Sequence, residues 1–338
     1  MKSTVGRGAD RVAGVLSRLL HVRSARHNTI GDVERYYDLG LEELFPAPRA
    51  PADLHVERTL ADRARGTSSV VWTSTHEVLC PRYRRRHETE YRSNLVARAR
   101  WIRPDGRRRD RCLVYVHGWL EPGPWAEELT LFRVWGRELP VDIVHVALPF
   151  HGPRLPRGSL FSGEWFWTGD LVRSLEGVRQ AICDVRTALA WLRDQGYQEV
   201  GVTGLSLGGA LVMVLACLEP LPDFAIPVMA HLSLGAAVEQ APILWRMRND
   251  LERWGLDERA RREVFRRIGL ESAQPRLRPE RQLWVQAKDD LYIDAGLVEQ
   301  QWRAWHEPPI LWIDGGHMTF PMELARITER MRGFLARG

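Results

Sequence analysis

The chain has few cysteines and no long apolar run, and each scarcity excludes a class of protein. Its four cysteines, Cys80, Cys112, Cys183 and Cys217, stand singly in apolar segments, without CxxC spacing or a nearby metal-ligand histidine. This pattern predicts buried reduced thiols, and it predicts neither disulfides nor a metal site. The sequence has no run of about 18 apolar residues and no secretory signal pattern, so the expected compartment is the cytoplasm.

Lysine is almost absent, since Lys2 and Lys288 are the only two among 48 basic residues, and the arginines are scattered among 43 acids. The net charge of +5 is therefore only weak evidence for binding to nucleic acid. Arginine runs at 82–86 and 107–111 flank predicted strands and are not interleaved with stacking aromatics. Nucleic acid is not an expected partner. The 44% of hydrophobic residues in 338 is enough to bury one large core.

Residues 1–66 are predicted to form an N-terminal extension of helices and loops without a fold of its own. Within it, apolar residues recur at helical spacing over 9–26, with arginines around them and a single acid, Asp10. Two interpretations remain open: a helix that lies on a membrane surface, and a helix docked on the protein's own core. Peripheral membrane contact is thus one possible partner interaction.

The segment 67–338 is predicted to be the main domain. Two β-rich runs open it, and apolar strands then alternate with helices up to the C-terminus. This alternation predicts an α/β fold with a mostly parallel sheet and helices on both faces. Residues 236–278 interrupt the alternation of strands and helices with an Arg-rich helical pattern, which predicts an inserted helical lid. Helices that decorate the domain away from the chemistry are the alternative.

A G-x-S-x-G pattern at Gly204-Leu205-Ser206-Leu207-Gly208 follows an apolar strand and directly precedes a helix. This context is typical of the nucleophile elbow, a tight turn in which glycines leave space for the strand and the helix. Ser206 is therefore the predicted nucleophile.

A serine nucleophile needs a histidine to accept its proton and a carboxylate to orient that histidine. Asp290 ends a predicted strand, and His317 follows a Gly-Gly turn after the last one, at the sheet edge where α/β proteins place their sites. Asp289 is the alternative acid. We favour Asp290, because it lies three residues after Ala287, the small residue that closes the strand.

The oxyanion of an acyl-transfer reaction needs two N–H donors fixed in advance. The residue after the nucleophile, Leu207, is expected to supply one. Trp119, in the turn Tyr115-Val-His-Gly-Trp119 that follows another strand, is expected to supply the other.

With His117-Gly118, the G-x-S-x-G pattern, Asp290 and His317 in this order, the chain resembles the α/β-hydrolase superfamily over residues 68–338. Leu148-Pro-Phe-His-Gly-Pro-Arg154 is similar to the alpha/beta hydrolase domain 18-like branch. The resemblance implies an eight-stranded sheet whose second strand is antiparallel, no metal or other cofactor, and hydrolysis through an acyl-enzyme.

Three residues are candidates for substrate binding. Trp165 and Trp167 could line an apolar acyl pocket, and Arg154 could meet an anionic head group. The predicted function is hydrolysis of a carboxylic ester, with a small-molecule or lipid-like acyl substrate. An amide or peptide hydrolase with the same triad, and a non-catalytic binding protein on the same scaffold, are the alternatives.

Overall fold

The computed structural model describes residues 2–104 and 106–337, which form one sheet with helices packed on both sides. The nine strands of the sheet are β1 His55–Glu57, β2 Thr67–Thr73, β3 Val96–Ile102, β4 Arg111–Val116, β5 Asp142–Val146, β6 Glu199–Leu205, β7 Ala225–Val228, β8 Trp284–Ala287 and β9 Ile310–Ile313.

The spatial order of the strands is β1-β2-β3-β5-β4-β6-β7-β8-β9. The pairs from β1 to β5 are antiparallel, and every pair from β5 through β4 and β6 to β9 is parallel. Because parallel strands end at the same edge, the loops that follow β4, β6, β8 and β9 meet there. The predicted mostly parallel α/β fold is confirmed.

One feature of the predicted sheet is wrong, because the structure has nine strands where the resemblance implied eight. The additional strand, β1, lies at the edge of the sheet inside the segment predicted as helices and loops. Its three residues are exposed and pair with Ser69–Val71 of β2. A strand this short carries no apolar alternation that a sequence pattern could reveal.

The α-helices are α1 Lys2–Leu20, α2 Leu41–Leu44, α3 Leu60–Arg65, α4 Pro81–Thr89, α5 Trp125–Leu129, α6 Leu131–Glu138, α7 Leu171–Asp194, α8 Leu207–Leu215, α9 Leu234–Gln240, α10 Trp245–Arg253, α11 Glu258–Ile268, α12 Ala295–Ala304 and α13 Leu324–Leu335. Short 3-10 helices connect several of them, including one at His317–Glu323.

The strand β4 shows how the sheet separates two apolar cores. Its side chains alternate between the faces, as the two-residue period of a strand requires. Val114 and Val116 pack with α7 and α8, whereas Leu113 and Tyr115 pack with α6 and α13. The sheet is therefore buried on both faces, which is the usual state of a parallel sheet.

Residues 236–278 lie between β7 and β8, where they contribute to α9 and form α10 and α11. Their apolar residues, among them Leu244, Met247, Leu251 and Phe265, are buried in the larger core. The segment thus packs firmly on the domain, and its movement as a lid stays a prediction.

The N-terminal segment packs against the same core. Val33 and Tyr36 are fully buried in it, and the Tyr36 hydroxyl donates a hydrogen bond to Glu176 of α7 at 2.5 Å. Among residues 2–104 and 106–337, no helix is long and apolar enough to cross a bilayer.

Candidate active site

The predicted nucleophile, Ser206, occupies a strained turn between β6 and α8. Its backbone has φ 57° and ψ −114°, a conformation that side-chain-bearing residues rarely adopt. The Ser206 N–H is held by the carbonyl of Val228 on the neighbouring strand at 2.9 Å. The turn lifts the serine out of the sheet, as the nucleophile elbow requires.

The two glycines of the G-x-S-x-G pattern are required by close packing. A Cβ on Gly208 would lie 1.9 Å from the Val116 carbonyl oxygen, and one on Gly204 would lie 2.5 Å from the Gly208 carbonyl carbon. Real Cβ atoms do not approach other atoms so closely, so only glycine lets the helix start this near to β4 and β6.

His317 and Asp290 form a hydrogen-bonded pair. The Nδ1–H of His317 donates to Asp290 Oδ2 at 2.7 Å, while Asp290 Oδ1 accepts the N–H groups of Tyr292 and Ile293 at 2.7 and 2.9 Å. Both carboxylate oxygens are therefore fixed. With the proton on Nδ1, the lone pair of His317 is on Nε2, the tautomer that a general base needs.

Two opposing effects act on the pKa of His317. Burial would lower this pKa, but the charge of the Asp290 carboxylate and its hydrogen bond outweigh burial, and the pKa is raised. The alternative acid, Asp289, points elsewhere: its carboxylate contacts the exposed guanidinium of Arg7 at 3.3 Å. The geometry therefore favours Asp290 over Asp289 as the partner of the histidine.

Ser206 and His317 line one cavity of about 520 Å³. In the described residues, no hydrogen bond joins Ser206 to the His317 ring. Such bonds are often long without substrate, so this does not remove the histidine as a candidate base. The cavity is largely apolar, and its walls include Trp119, Trp167, Leu211, Val214, Leu244 and Phe320.

The two predicted oxyanion donors both border this cavity. Leu207 begins α8, so its N–H has no acceptor within the helix. Trp119 follows Gly118, whose backbone is so close that a Cβ there would lie 3.8 Å from the Cβ of Ser206. The part of the chain that the structure describes gives the Trp119 N–H no hydrogen-bond acceptor, so this donor also remains available.

His117 fixes the loop that carries Trp119. Its Nδ1–H donates to the Gly118 carbonyl at 2.8 Å, and its Nε2 accepts the N–H of Leu148 at 3.0 Å. Burial lowers the pKa of His117 to about 4, so the ring is neutral, as both bonds require. The structure thus explains why a histidine stands before Gly118: it fixes the loop, which the sequence alone did not reveal.

Two of the three substrate-binding candidates are wrong. The Arg154 guanidinium is fully buried, pairs with Asp184 at 2.7 Å and donates to two backbone carbonyls, so it cannot reach a substrate. Trp165 does not line the cavity; it packs beside Arg173 and donates to Ser159. Trp167 does line it. Loop position alone could not distinguish these inward-facing side chains from those at the site.

Asp10 in α1 is a site residue that the sequence did not single out for this role. Its carboxylate is buried and accepts the N–H groups of Leu291, His317 and Met318 at 3.0, 2.9 and 2.8 Å. These amides flank Asp290 and include that of His317 itself. The N-terminal helix therefore binds together the two loops that supply the histidine and its carboxylate.

Polar side chains that the sequence analysis missed also line the cavity. His231 accepts the Ser233 N–H through Nδ1, so its Nε2 carries the proton, and this atom has no partner within residues 2–104 and 106–337. Burial lowers the pKa of His231 to about 4, which keeps the ring neutral. His231 is thus available to donate a hydrogen bond to a ligand.

Glu121 is a second polar side chain that lines the cavity. Burial and the neighbouring Glu127 raise the pKa of its carboxyl group. Glu121 also lies near His117 and His145. A metal would need the His117 lone pair, which the Leu148 N–H already occupies, and a deprotonated Glu121. Within the described residues, these three side chains form a buried polar cluster in which the His117 lone pair is already used.

Comparison with known proteins agrees with this architecture. The family model "Alpha/beta hydrolase domain containing 18" matches residues 149–241, a segment that contains Ser206 and most of the Leu148–Arg154 motif. An uncharacterized protein of Mycobacterium tuberculosis, Rv2627c, is 32% identical over 227 residues. The match covers 62% of this chain and 50% of the relative, so the chain spans about half the length of the curated relatives it matches.

Solved structures of esterases share the fold. An acetyl xylan esterase from Paenibacillus sp. R4 has a TM-score of 0.58 at 15% identity, and the match covers 92% of this chain and 98% of that one. The esterase Pf2001 of Pyrococcus furiosus has a TM-score of 0.53 at 14% identity, with coverages of 87% and 98%. An acylaminoacyl peptidase of Pyrococcus horikoshii has a TM-score of 0.50 at 14% identity, covering 72% and 40%.

The chain therefore has the α/β-hydrolase fold, and the predicted resemblance to that superfamily is confirmed. Within it, the similarity to the alpha/beta hydrolase domain 18 family extends over residues 149–241.

Proposed function

We propose that the protein is a serine hydrolase that cleaves a carboxylic ester through an acyl-enzyme. One observation carries this proposal: His317, which is hydrogen-bonded to Asp290, lines the same cavity as Ser206 in its strained turn. An uncatalysed serine hydroxyl is a poor nucleophile, and this combination of groups is the one that activates it.

In the proposed reaction, Ser206 Oγ attacks the ester carbonyl while its proton passes to His317 Nε2. The N–H groups of Trp119 and Leu207 stabilise the resulting oxyanion. When the C–O bond to the alcohol breaks, His317 returns the proton to that leaving group. Water then attacks the acyl-enzyme by the same route, releasing the carboxylic acid and restoring the Ser206 hydroxyl.

Asp290 stabilises the imidazolium that exists between these proton transfers, which agrees with the raised pKa of His317. The fixed carboxylate also prevents the ring from turning its protonated nitrogen toward Ser206.

The cavity supports a substrate with an apolar acyl group. Its volume of about 520 Å³ is in the range of small-molecule sites, about 300–1,000 Å³, and its lining is largely aromatic and aliphatic. The esterases with the same fold favour an ester over an amide, whereas the similar acylaminoacyl peptidase keeps the amide alternative open.

The test is a series of p-nitrophenyl esters of increasing acyl length, measured beside p-nitroanilides with the same acyl groups. We expect ester turnover with an optimum at a medium or long chain, and loss of that turnover in Ser206→Ala. Faster cleavage of the anilides would support the amide alternative. A folded protein that cleaves neither series would contradict the proposal.

A further inference from the structure

The helix α1 is oriented in an unusual way on the domain. The side that faces the protein carries small and polar residues: Gly6, Asp10, Gly14 and Ser17, spaced so that they share one face. Gly6 packs so closely that a Cβ there would lie 2.2 Å from the Gly316 nitrogen. The contact is made by backbone packing, by the hydrogen bonds of Asp10 and by the small side chain of Ala13, and most of the larger apolar side chains of the helix take little part in it.

Those apolar side chains face outward instead. Val12, Val15 and Leu19 are 60%, 58% and 70% exposed. The helix is docked on the protein, as one of the two interpretations held, but these apolar side chains are not what docks it. An apolar helix face left in water is costly, and a face of this kind usually has a partner.

The charge on α1 is of one sign where it meets solvent. Arg7, Arg11 and Arg18 are exposed, and the one acidic residue of the helix, Asp10, is buried against the protein. An apolar stripe bordered by arginines, on a helix about 28 Å long, is the arrangement found in helices that lie in the plane of an anionic membrane surface.

Further exposed apolar side chains line the cavity or directly follow a lining residue in the sequence. Met318 lines the cavity and is 49% exposed. Met322 follows the cavity residue Pro321. Leu16 and Leu20 of α1 also line the cavity and are 52% and 49% exposed. We call Leu16, Leu20, Met318 and Met322 the apolar rim of the cavity.

We propose that the outward face of α1 and this rim dock on an anionic phospholipid bilayer, with the mouth of the cavity toward the lipid. The arginines complement the negative surface while the valines and leucines enter the acyl boundary. A second copy of the chain is a poorer fit, since two such faces would bring like-charged arginines together around the contact. Docking does not require the proposed chemistry at Ser206.

The experiment is flotation of the full-length protein with vesicles of phosphatidylcholine alone and of phosphatidylcholine mixed with phosphatidylglycerol. We expect binding to the mixed vesicles and much less to the neutral ones. The triple variant Val12→Thr, Val15→Thr, Leu19→Gln should reduce the partition coefficient roughly tenfold or more. None of the three residues lines the cavity, so short soluble esters should be cleaved at the unchanged rate.

A matched control changes exposed apolar residues that are distant in sequence from α1 and outside the cavity lining: Val56→Thr, Leu60→Gln, Leu79→Gln. This variant should bind vesicles as the unchanged protein does. Arg11→Gln with Arg18→Gln should abolish the preference for anionic vesicles. Ser206→Ala should bind normally, which separates docking from catalysis.

Three results would overturn the proposal. They are absence of vesicle binding by the unchanged protein, equal loss of binding in the α1 variant and the matched control, and concentration-dependent dimerisation that the α1 variant removes. The last result would identify a second copy as the occupant of the face.

Discussion

At the scale of single residues, the carboxylate next to His317 depends on where each side chain of an adjacent pair points. Asp289 and Asp290 follow the same strand, and the sequence left both open with a preference for Asp290. In the structure, Asp290 accepts the His317 Nδ1–H, whereas Asp289 contacts Arg7 on α1. The preference rested on the distance from Ala287, and the structural geometry agrees with it.

Replacing Asp290 by asparagine should therefore separate the two acids. We expect Asp290→Asn to reduce kcat for the preferred ester by about 10⁴-fold, because the amide no longer stabilises the imidazolium or its tautomer. Since Asp290 raises the pKa of His317, the acidic limb of the remaining kcat/KM profile should move to lower pH.

Asp289→Asn is the matched control, and it should retain both the rate and the pH profile. If the Asp289 change alone removes turnover, the assignment of Asp290 is incorrect.

Arg154 and His231 show that the sequence could not predict which side chains face the site. A loop arginine and an isolated histidine carry no sign in the sequence of which way they face. Burial and an ion pair with Asp184 remove Arg154 from the site, while His231 is brought to the cavity by the end of β7. Such facts depend on contacts between residues far apart in the chain.

At the scale of elements, a helix was predicted over residues 9–26, whereas α1 spans Lys2–Leu20, and the face by which it packs was not predicted. The apolar spacing suggested that the valines and leucines would be buried if the helix docked on the domain. The structure buries the glycines and Asp10 instead, because the loops at residues 290–293 and 315–318 offer free N–H groups that a carboxylate satisfies. Helical periodicity in the sequence cannot reveal that backbone N–H groups of distant loops will bind Asp10.

Asp10 is accordingly predicted to be a positioning residue for the histidine. In Asp10→Asn, an amide N–H₂ would face backbone N–H donors, so we expect the free energy of unfolding to fall by about 1.5–3 kcal/mol. We also expect kcat to fall by about 10- to 100-fold with KM little changed, because His317 shifts from its working position. Ester kinetics and chemical denaturation on the same samples measure both effects.

The exposed neighbour Arg11 supplies the control, and Arg11→Gln should leave both quantities unchanged for soluble esters. Loss of stability in Asp10→Asn with normal turnover per folded molecule would show that Asp10 only anchors the helix.

At the scale of the whole molecule, the order of strands and helices was predictable because strands buried on both faces read as short apolar runs with helices between them. The positions of Ser206, Asp290 and His317 followed from that order, since all three come after strands that end at one edge of the sheet. The edge strand β1 was not predictable, because its three exposed residues are ordered by pairing with β2.

The central claim is that Ser206 is an activated nucleophile in this assembled site. Its most direct test is labelling of the purified protein with a fluorophosphonate probe, compared with Ser206→Ala and with Asp290→Asn. The account predicts rapid covalent labelling of the unchanged protein, slow labelling of Asp290→Asn, and none of Ser206→Ala, with the modified peptide containing Ser206. Labelling that persists in folded Ser206→Ala, or absence of labelling in the folded unchanged protein, would contradict it.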